Sequence, residues 1–306
     1  MEHPHNGNFS TSNAAKTDAP KPRLWPLDSL GTELLNDARE LHEAHTTGQP
    51  RGPLTGLKKL DQEIGGALPK DALTMILGNT GAGKTAFAGQ IVARCGCPAV
   101  YLTTEMTPVE LLRRHVARES STFLGRLKSG ELSPSEVGRL VGSTAQKLAH
   151  LKILDGTTAY ASPSYLTQVV IEAKGDAKHA VLVVDSLHTW ARGGESRLGE
   201  YEVLNYHINS LVGLSKIARC SVVIICEQNR AAMKEGASGN PNAGAGTRFI
   251  EYSADLLLDL EAKKDTNGAG ERDVTLTLGK NRNGAAGKKI ELRFNGALQR
   301  FDEATK

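Results

Sequence analysis

The sequence predicts an α/β protein with a mostly parallel sheet flanked by helices, followed by antiparallel hairpins at the C-terminus. From residue 54 onward, short apolar runs alternate with amphipathic helical patterns, which is typical of a parallel sheet covered on both faces. A glycine-rich loop joins the first apolar run to the first of these helical patterns. The apolar runs of residues 256–301 are instead joined by Gly- and Asn-rich turns, as in hairpins.

The composition is that of an ordinary globular protein: 39% of the 306 residues are hydrophobic, 23% are charged, and the formal net charge is +3. This charge permits an anionic partner without requiring one. No apolar run approaches the ~18 residues of a membrane span, and the N-terminus lacks the apolar core of a signal peptide. The four cysteines lack zinc-site spacing. We therefore expect a reduced, cytoplasmic protein without a membrane segment or a structural metal.

Three segments differ in composition. Residues 1–26 are rich in Asn, Ser, Thr, Pro and Lys and predict a disordered tail. Residues 27–53 predict a linker helix, with an apolar stripe from Leu30 to Leu41, followed by a Gly- and Pro-rich linker. That stripe must be buried either against its own domain or against a neighbouring subunit. Residues 54–306 predict one α/β domain.

Nine apolar runs are predicted strands. Those of the parallel part are Leu73–Leu77, Ala99–Thr103, Lys152–Leu154, Ala180–Val184 and Ser221–Cys226, and those of the hairpins are Leu256–Leu260, Val274–Leu278, Lys289–Phe294 and Leu298–Phe301. Two helices begin with a hydroxyl at the N-cap, Pro at the next position and Glu at the third, at Thr107 and at Ser133.

The loop between the first strand and its helix predicts a nucleotide site. Its sequence is Gly78-Asn79-Thr80-Gly81-Ala82-Gly83-Lys84-Thr85, the pattern G-x-x-x-x-G-K-T. In such a loop, backbone N–H groups turn toward the phosphates and the helix N-terminus adds partial positive charge. Lys84 would reach the β- and γ-phosphates, and the Thr85 hydroxyl would coordinate Mg²⁺. The predicted ligands are therefore ATP and Mg²⁺.

Two carboxylates are predicted to lie near this loop. Asp185 ends the apolar run Val181–Val184, and a carboxylate at that place is expected to support the metal ion. Glu105 follows the run Ala99–Thr103. Because the carboxyl ends of parallel strands line one crevice, Glu105 would lie beside the phosphate loop and could orient the attacking water.

Taken together, these segments resemble the ATPase domain of DnaB-type hexameric replicative helicases, within the RecA-like class, over residues 30–303. Thr55-Gly56-Leu57-Lys58-Lys59-Leu60-Asp61 resembles the lead-in motif of that family, and Thr104-Glu105-Met106 is similar to its Leu-Glu-Met. The resemblance implies that Glu105 is the catalytic base. Phe294-Asn295-Gly296 and Arg300-Phe301-Asp302 match the closing hairpin.

A Lys-x-Arg-Asn-Gly signature strengthens the resemblance, in the form Lys280-Asn281-Arg282-Asn283-Gly284. In the family, its Lys and Arg project into the neighbouring subunit's ATP site. Lys280 and Arg282 are thereby implied as catalytic residues supplied in trans, which implies a homo-oligomer, namely a hexameric ring, and the linker helix would pack on the adjacent subunit. The γ-phosphate sensor is Glu227 by alignment or Gln228 by chemistry.

The resemblance also implies two loops that contact single-stranded DNA, at residues 191–199 and 231–247. Candidate phosphate contacts are Arg192, Arg197, Lys234 and Arg248. Neither loop is strongly basic or offers an aromatic stacking platform. The family's helical N-terminal domain has no counterpart in the sequence, which leaves a primase or loader partner unidentified.

These features predict an ATP-dependent, ring-forming DNA helicase that translocates on single-stranded DNA. A RecA- or RadA-type recombination ATPase is one alternative, although the Lys280–Gly284 signature fits helicases better. A KaiC-like regulatory ATPase without DNA is another, and the Leu68-Pro69-Lys70 lead-in points slightly toward it.

Overall fold

The structure is a computed structural model that describes residues 24–194, 199–226, 252–263 and 270–304. The chain divides into two compact units, Met1–Gln49 and Pro50–Lys306. In the first unit, helix α1 (Leu27–Thr47) begins after Pro26 and ends at Gly48, whose φ of 67° is left-handed. None of the residues of α1 is buried, and Leu34 on the predicted stripe is 70% exposed. The assignment of segments as tail, linker and domain stays a prediction.

In the second unit, the strands that the structure describes form a single nine-stranded sheet in the order β3-β2-β4-β5-β1-β6-β7-β8-β9. The strand bounds are β1 (Leu73–Gly78), β2 (Ala99–Thr103), β3 (Leu151–Asp155), β4 (Val181–Asp185), β5 (Ser221–Ile225), β6 (Leu256–Ala262), β7 (Glu271–Asn281), β8 (Lys289–Asn295) and β9 (Arg300–Glu303). Neighbouring strands from β3 to β6 in this order are parallel, and β6 to β9 are antiparallel. The predicted fold class is confirmed.

One predicted strand was misplaced. The apolar run Leu298–Phe301 suggested that the last strand begins at Leu298, but β9 begins at Arg300. Leu298 donates its backbone N–H to Asn295 Oδ1 at 2.9 Å, and Gln299 has a left-handed φ of 54°. A turn closed by an asparagine side chain therefore occupies the first half of the run.

Helices flank the sheet, and two of them begin at the caps that the sequence predicts, Thr107 and Ser133. Their bounds are α2 (Lys58–Glu63), α3 (Lys84–Arg94), α4 (Pro108–Ser120), α5 (Pro134–Lys147), α6 (Pro163–Lys174), α7 (Leu187–Arg192) and α8 (Glu200–Ala218). Thr107 caps α4 by accepting the Glu110 N–H at 3.3 Å, and Ser133 forms a capping box with Glu136 on α5. Such caps satisfy backbone N–H groups that the helix itself leaves unpaired.

The sheet has a hydrophobic core on each face. On β1, Leu73, Met75 and Leu77 pack into one core, and Ile76 packs into the other. The interior strands β1, β2, β4 and β5 are buried throughout, because helices cover both of their faces. No helix within the described ranges is long and apolar enough to cross a membrane.

Candidate nucleotide-binding site

The phosphate loop lies at the carboxyl edge of the sheet, between β1 and α3. Gly81 and Gly83 adopt φ values of 81° and 93°, which residues with a Cβ rarely adopt. A Cβ on Gly83 would also lie 2.8 Å from the Phe301 ring of β9. The Lys84 ammonium donates to the Gly78 carbonyl at 2.7 Å and to that of Asn79 at 3.2 Å. The loop thus holds its lysine inward, as phosphate binding requires.

Asp185 lies at the end of β4 and is 6% exposed. The Tyr101 hydroxyl of the neighbouring strand β2 donates to Asp185 Oδ2 at 2.7 Å, and the Thr85 side chain also hydrogen-bonds to this carboxylate. Burial raises the pKa of Asp185 above its ordinary value, whereas the hydrogen bonds of Tyr101 and Thr85 act to lower it. The two side chains predicted to hold Mg²⁺ are therefore in contact.

Glu105 lies between β2 and α4, beside the start of α7. The Ser186 and Thr189 hydroxyls both donate to Glu105 Oε1, Thr189 at 2.7 Å. Burial acts to raise the pKa of Glu105, but these hydrogen bonds and the charges of Lys84 and Arg192 outweigh it, so the pKa lies below its ordinary value. Glu105 is therefore an ionised carboxylate whose position is fixed through Oε1.

A single cavity of about 330 Å³ brings these groups together. Residues from the phosphate loop, the two acidic positions, α4 and the C-terminal strands line it: Thr80, Gly81, Gly83, Lys84, Thr85, Ala86, Glu105, Arg114, Asp185, Ser186, Ile225, Arg272, Phe294, Gly296 and Gln299. Its positively charged lining residues are Lys84, Arg114 and Arg272. This charge suits the phosphates of a nucleotide.

The oxygen ligands that the site offers fit Mg²⁺ better than a metal ion coordinated entirely by protein side chains. No group of three or more His, Cys, Asp or Glu side chains within the described ranges could hold a metal ion. Thr85 and Asp185 instead offer two oxygen ligands that touch each other beside the phosphate loop. Mg²⁺ commonly takes one or two protein oxygens together with waters and substrate phosphates.

Lys280 and Arg282 do not line this cavity. They lie at the end of β7, where the Lys280 ammonium donates to the Tyr252 carbonyl at 2.8 Å and Arg282 pairs with Asp255 at 2.9 Å. Asp255 in turn accepts the backbone N–H of Leu73, the first residue of β1. Because β1 runs from Leu73 to Gly78, this anchor lies about 17 Å along the strand from the phosphate loop. Lys280 and Arg282 thus lie at the amino edge of the sheet, opposite the carboxyl edge that carries the phosphate loop.

Of the predicted DNA contacts, Arg192 is exposed at the end of α7, close enough to Glu105 to influence its pKa. Arg197, Lys234 and Arg248 lie outside the described residues, and so do both sensor candidates, Glu227 and Gln228.

Several side chains of the site were not predicted from the sequence. Tyr101, Arg114 and Arg272 contact it from positions far apart in the chain, and only the strand order brings them together. Ser186 could have been found, because it directly follows Asp185 and a hydroxyl there can support a neighbouring carboxylate. Thr189 follows three residues later, on the first turn of α7.

Comparison with known proteins gives a family match over most of the chain. The family "DnaB-like helicase C terminal domain" matches residues 52–303. The "Replicative DNA helicase DnaB" of Treponema pallidum (strain Nichols) is 27% identical over 265 residues, which are 82% of this chain and 56% of that protein. The chain thus spans just over half the length of this relative.

Two solved structures have similar folds. One, the structure of an ATPase domain, gives a TM-score of 0.74 at 16% identity and covers 90% of this chain and 99% of its own. The other, a DnaB-like replicative helicase solved to study its interactions with primase, gives 0.70 at 16% identity and covers 91% of this chain and 67% of its own. At these identities the likeness establishes the fold alone.

Proposed function

Because the chain belongs to the family of DnaB-like helicase C-terminal domains, we propose that it is the motor of a ring-forming DNA helicase in the cytoplasm. It hydrolyses ATP between subunits and translocates on single-stranded DNA. The observation that carries the proposal is the separation of Arg282 from the chain's own phosphate loop by the length of β1. This separation supports a role for Lys280 and Arg282 at the ATP site of a neighbouring subunit, and a closed ring supplies every site with such a neighbour.

Within one subunit, the phosphate loop binds ATP, Asp185 helps to hold Mg²⁺, and Glu105 acts on the attacking water. The backbone N–H groups of the loop cradle the phosphates, and Lys84 leaves its carbonyl partners to bind the β- and γ-phosphates. Bound Mg²⁺, held by Thr85 and Asp185, would neutralise phosphate charge. Glu105 orients the attacking water and accepts its proton. Since both of its hydroxyl partners bind Oε1, Oε2 is the oxygen suited to that water.

The neighbouring subunit supplies the remaining charge. Arg282 stabilises the negative charge that develops on the γ-phosphate during transfer, and Lys280 assists it. To do so, Arg282 exchanges its pairing with Asp255 for the phosphate. That pair is more than half exposed on the arginine side, where solvent screening makes an ion pair weak. The leucines of α1 are exposed in the single chain and would pack on the adjacent subunit.

The link to DNA runs through the start of the 191–199 loop. Arg192 is exposed there, while its charge also influences Glu105. A DNA phosphate bound by Arg192 would therefore alter the electrostatic environment of the base. Arg197, Lys234 and Arg248 remain proposed phosphate contacts, and Glu227 or Gln228 remains the proposed sensor of the γ-phosphate.

The test is ATP turnover by the purified chain with and without single-stranded DNA. We expect single-stranded DNA to stimulate turnover several-fold and ATP to drive unwinding of a forked duplex, with Lys84→Ala protein as the inactive control. Turnover that is indifferent to DNA would contradict the proposal and favour the KaiC-like alternative. Stimulation without unwinding at any protein concentration would favour a recombination ATPase instead.

A further inference from the structure

A cluster of two thiols and an imidazole lies at the amino edge of the sheet, away from the nucleotide cavity. Cys95 ends α3, Gly96 follows it with a left-handed φ of 69°, and Cys97 precedes β2. His150 immediately precedes β3, the parallel neighbour of β2, and its carbonyl accepts the Ala99 N–H at 2.9 Å. Strand pairing thus fixes the imidazole beside the Cys-Gly-Cys segment.

The three side chains converge on one point. Cys95 Sγ lies 3.3 Å from the Val92 carbonyl oxygen, and His150 Nε2 lies 2.9 Å from the same oxygen. Cys95 also hydrogen-bonds to the Cys97 thiol and to the His150 ring. Cys95 is 3% exposed, whereas Cys97 and His150 are only partly buried, so small solutes can approach the cluster from their side.

The contacts favour charge separation between Cys95 and His150. The hydrogen bond from Cys97 lowers the pKa of the Cys95 thiol below its ordinary value, against the effect of burial and with help from His150. The hydrogen bond to Cys95 raises the pKa of His150 above its ordinary value. Burial raises the pKa of the two cysteines that flank β5, Cys220 and Cys226, to about 12. Cys95 is therefore the cysteine whose surroundings most favour the thiolate.

We propose that Cys95 and Cys97 form a reactive thiol pair that a small hydroperoxide oxidises to a disulfide. The Cys95 thiolate attacks the O–O bond, giving a sulfenic acid, and the departing oxygen takes the proton of His150. The Cys97 sulfur then attacks the Cys95 sulfur, the S–O bond breaks, and the second oxygen leaves as water with the Cys97 proton. Two thiols lose two electrons in total, and the hydroperoxide becomes one alcohol and one water, or two waters when the oxidant is hydrogen peroxide.

The backbone permits this closure because Gly96 turns the chain between the two cysteines. Its φ of 69° is accessible to glycine, and a Cβ added there would meet no atom within 4 Å. Cys95 Sγ also lies 3.3 Å from the Cys97 carbonyl oxygen, so the two cysteines are already in contact. A thiol reductant would restore the pair by exchange.

Peptide mapping of the oxidised full chain tests the proposal directly. Cleavage after Lys and Arg places Cys95 and Cys97 in one peptide, residues 95–113, and Cys220 and Cys226 in another, residues 220–230. After brief treatment with hydrogen peroxide and alkylation with N-ethylmaleimide, peptide 95–113 should be about 2 Da lighter than its reduced, unalkylated form. It should carry no adduct, and dithiothreitol should restore alkylation. Peptide 220–230 is the internal control and should stay reduced. Oxidation of 220–230 at the same rate, or no disulfide in 95–113, would overturn the proposal.

The pH dependence of the rate gives a readout that folding alone would not change. For wild-type protein, the rate of disulfide formation should rise by much less than about tenfold per pH unit from about pH 6.5 to 8, because the pKa of the attacking thiol is lowered. His150→Gln should lower the rate at pH 7 by about tenfold and make it rise with pH. Cys97→Ser should stop at a sulfenic acid on Cys95 that dimedone traps. A wild-type rate that rises about tenfold per pH unit would contradict an activated Cys95, even if no variant folds.

Discussion

The two ends of β7 carry positive charge into different surroundings. Near its start, the Arg272 guanidinium lies 5.1 Å from the centre of the Phe294 ring and lines the nucleotide cavity of its own chain. Near its end, about 26 Å further along the strand, Lys280 and the adjacent Arg282 are held by Tyr252 and Asp255 at the opposite edge of the sheet. β7 thus connects a cation that lines the nucleotide cavity of its own chain to two cations that lie far from that cavity.

The comparison shows that the nucleotide cavity and the residues proposed to compensate charge, Lys280 and Arg282, lie at opposite edges of one sheet. Phe301 on β9 fixes the near end, since it packs on Gly83 and its backbone forms two hydrogen bonds with the Gln90 side chain of α3. Asp255 fixes the far end through the backbone of Leu73. We call the carboxyl edge of the sheet, with the phosphate loop, the near edge, and the amino edge, with Lys280 and Arg282, the far edge. A ring in which the far edge of one subunit meets the near edge of the next would complete every site.

The largest effect should come from the near edge. Lys84→Ala removes the ammonium group that the loop directs inward, so ATP turnover should fall below detection and nucleotide affinity should weaken. A phosphate-release assay and a fluorescent-nucleotide titration measure the two effects. Lys152→Ala, on exposed β3, is the matched control and should behave as wild type. Normal turnover by Lys84→Ala would remove the basis for the assigned loop.

Arginine substitutions at the two ends of β7 should separate binding from turnover. Arg282→Ala should retain ATP affinity and lose turnover by about 10³, because the transition-state charge lacks compensation. Arg272→Ala should weaken nucleotide binding, since that side chain lines the chain's own cavity. Titration and turnover measured on both proteins test the distinction. If both variants lost affinity equally, the two ends would not differ as we describe.

A substitution at Glu105 should isolate the chemical step at the near edge. Glu105→Gln keeps the shape of the side chain but cannot accept a proton, so turnover should fall by about 10² or more with nearly unchanged ATP affinity. Single-turnover hydrolysis measures the chemical step directly. Glu110→Gln, on the first turn of α4 outside the cavity, serves as the control. Undiminished hydrolysis by Glu105→Gln would place the base elsewhere.

The smallest effect is expected from Tyr101→Phe, which removes one hydrogen bond to Asp185. That hydrogen bond lowers the pKa of a carboxyl group that burial raises, so its loss should raise the pKa of Asp185 further. Since only the ionised carboxylate holds Mg²⁺, the acid limb of turnover should move to higher pH and the Mg²⁺ requirement should increase a few-fold. Turnover profiles at several Mg²⁺ concentrations measure both. An unchanged limb would mean that Tyr101 serves packing alone.

The sequence predicted the phosphate loop and its two neighbouring carboxylates better than the contacts around them. The phosphate loop follows from local glycine and lysine spacing, and Asp185 and Glu105 follow from the ends of buried strands. The Tyr101–Asp185 hydrogen bond depends on β2 lying beside β4, which no local pattern reports. Arg272 enters the cavity only because the hairpins fold back over α3. The far position of Arg282 likewise depends on the antiparallel register of β7 with β6.

The central claim is that each ATP site is completed by the far edge of another subunit, and mixing two inactive proteins tests it most directly. Lys84→Ala lacks the near half of the site and Arg282→Ala lacks the far half, so mixed rings contain interfaces with both intact halves. We expect ATP turnover to return when the two are mixed under conditions of shown subunit exchange, and to be greatest near equal amounts. Full turnover by a strictly monomeric wild-type chain would contradict the claim.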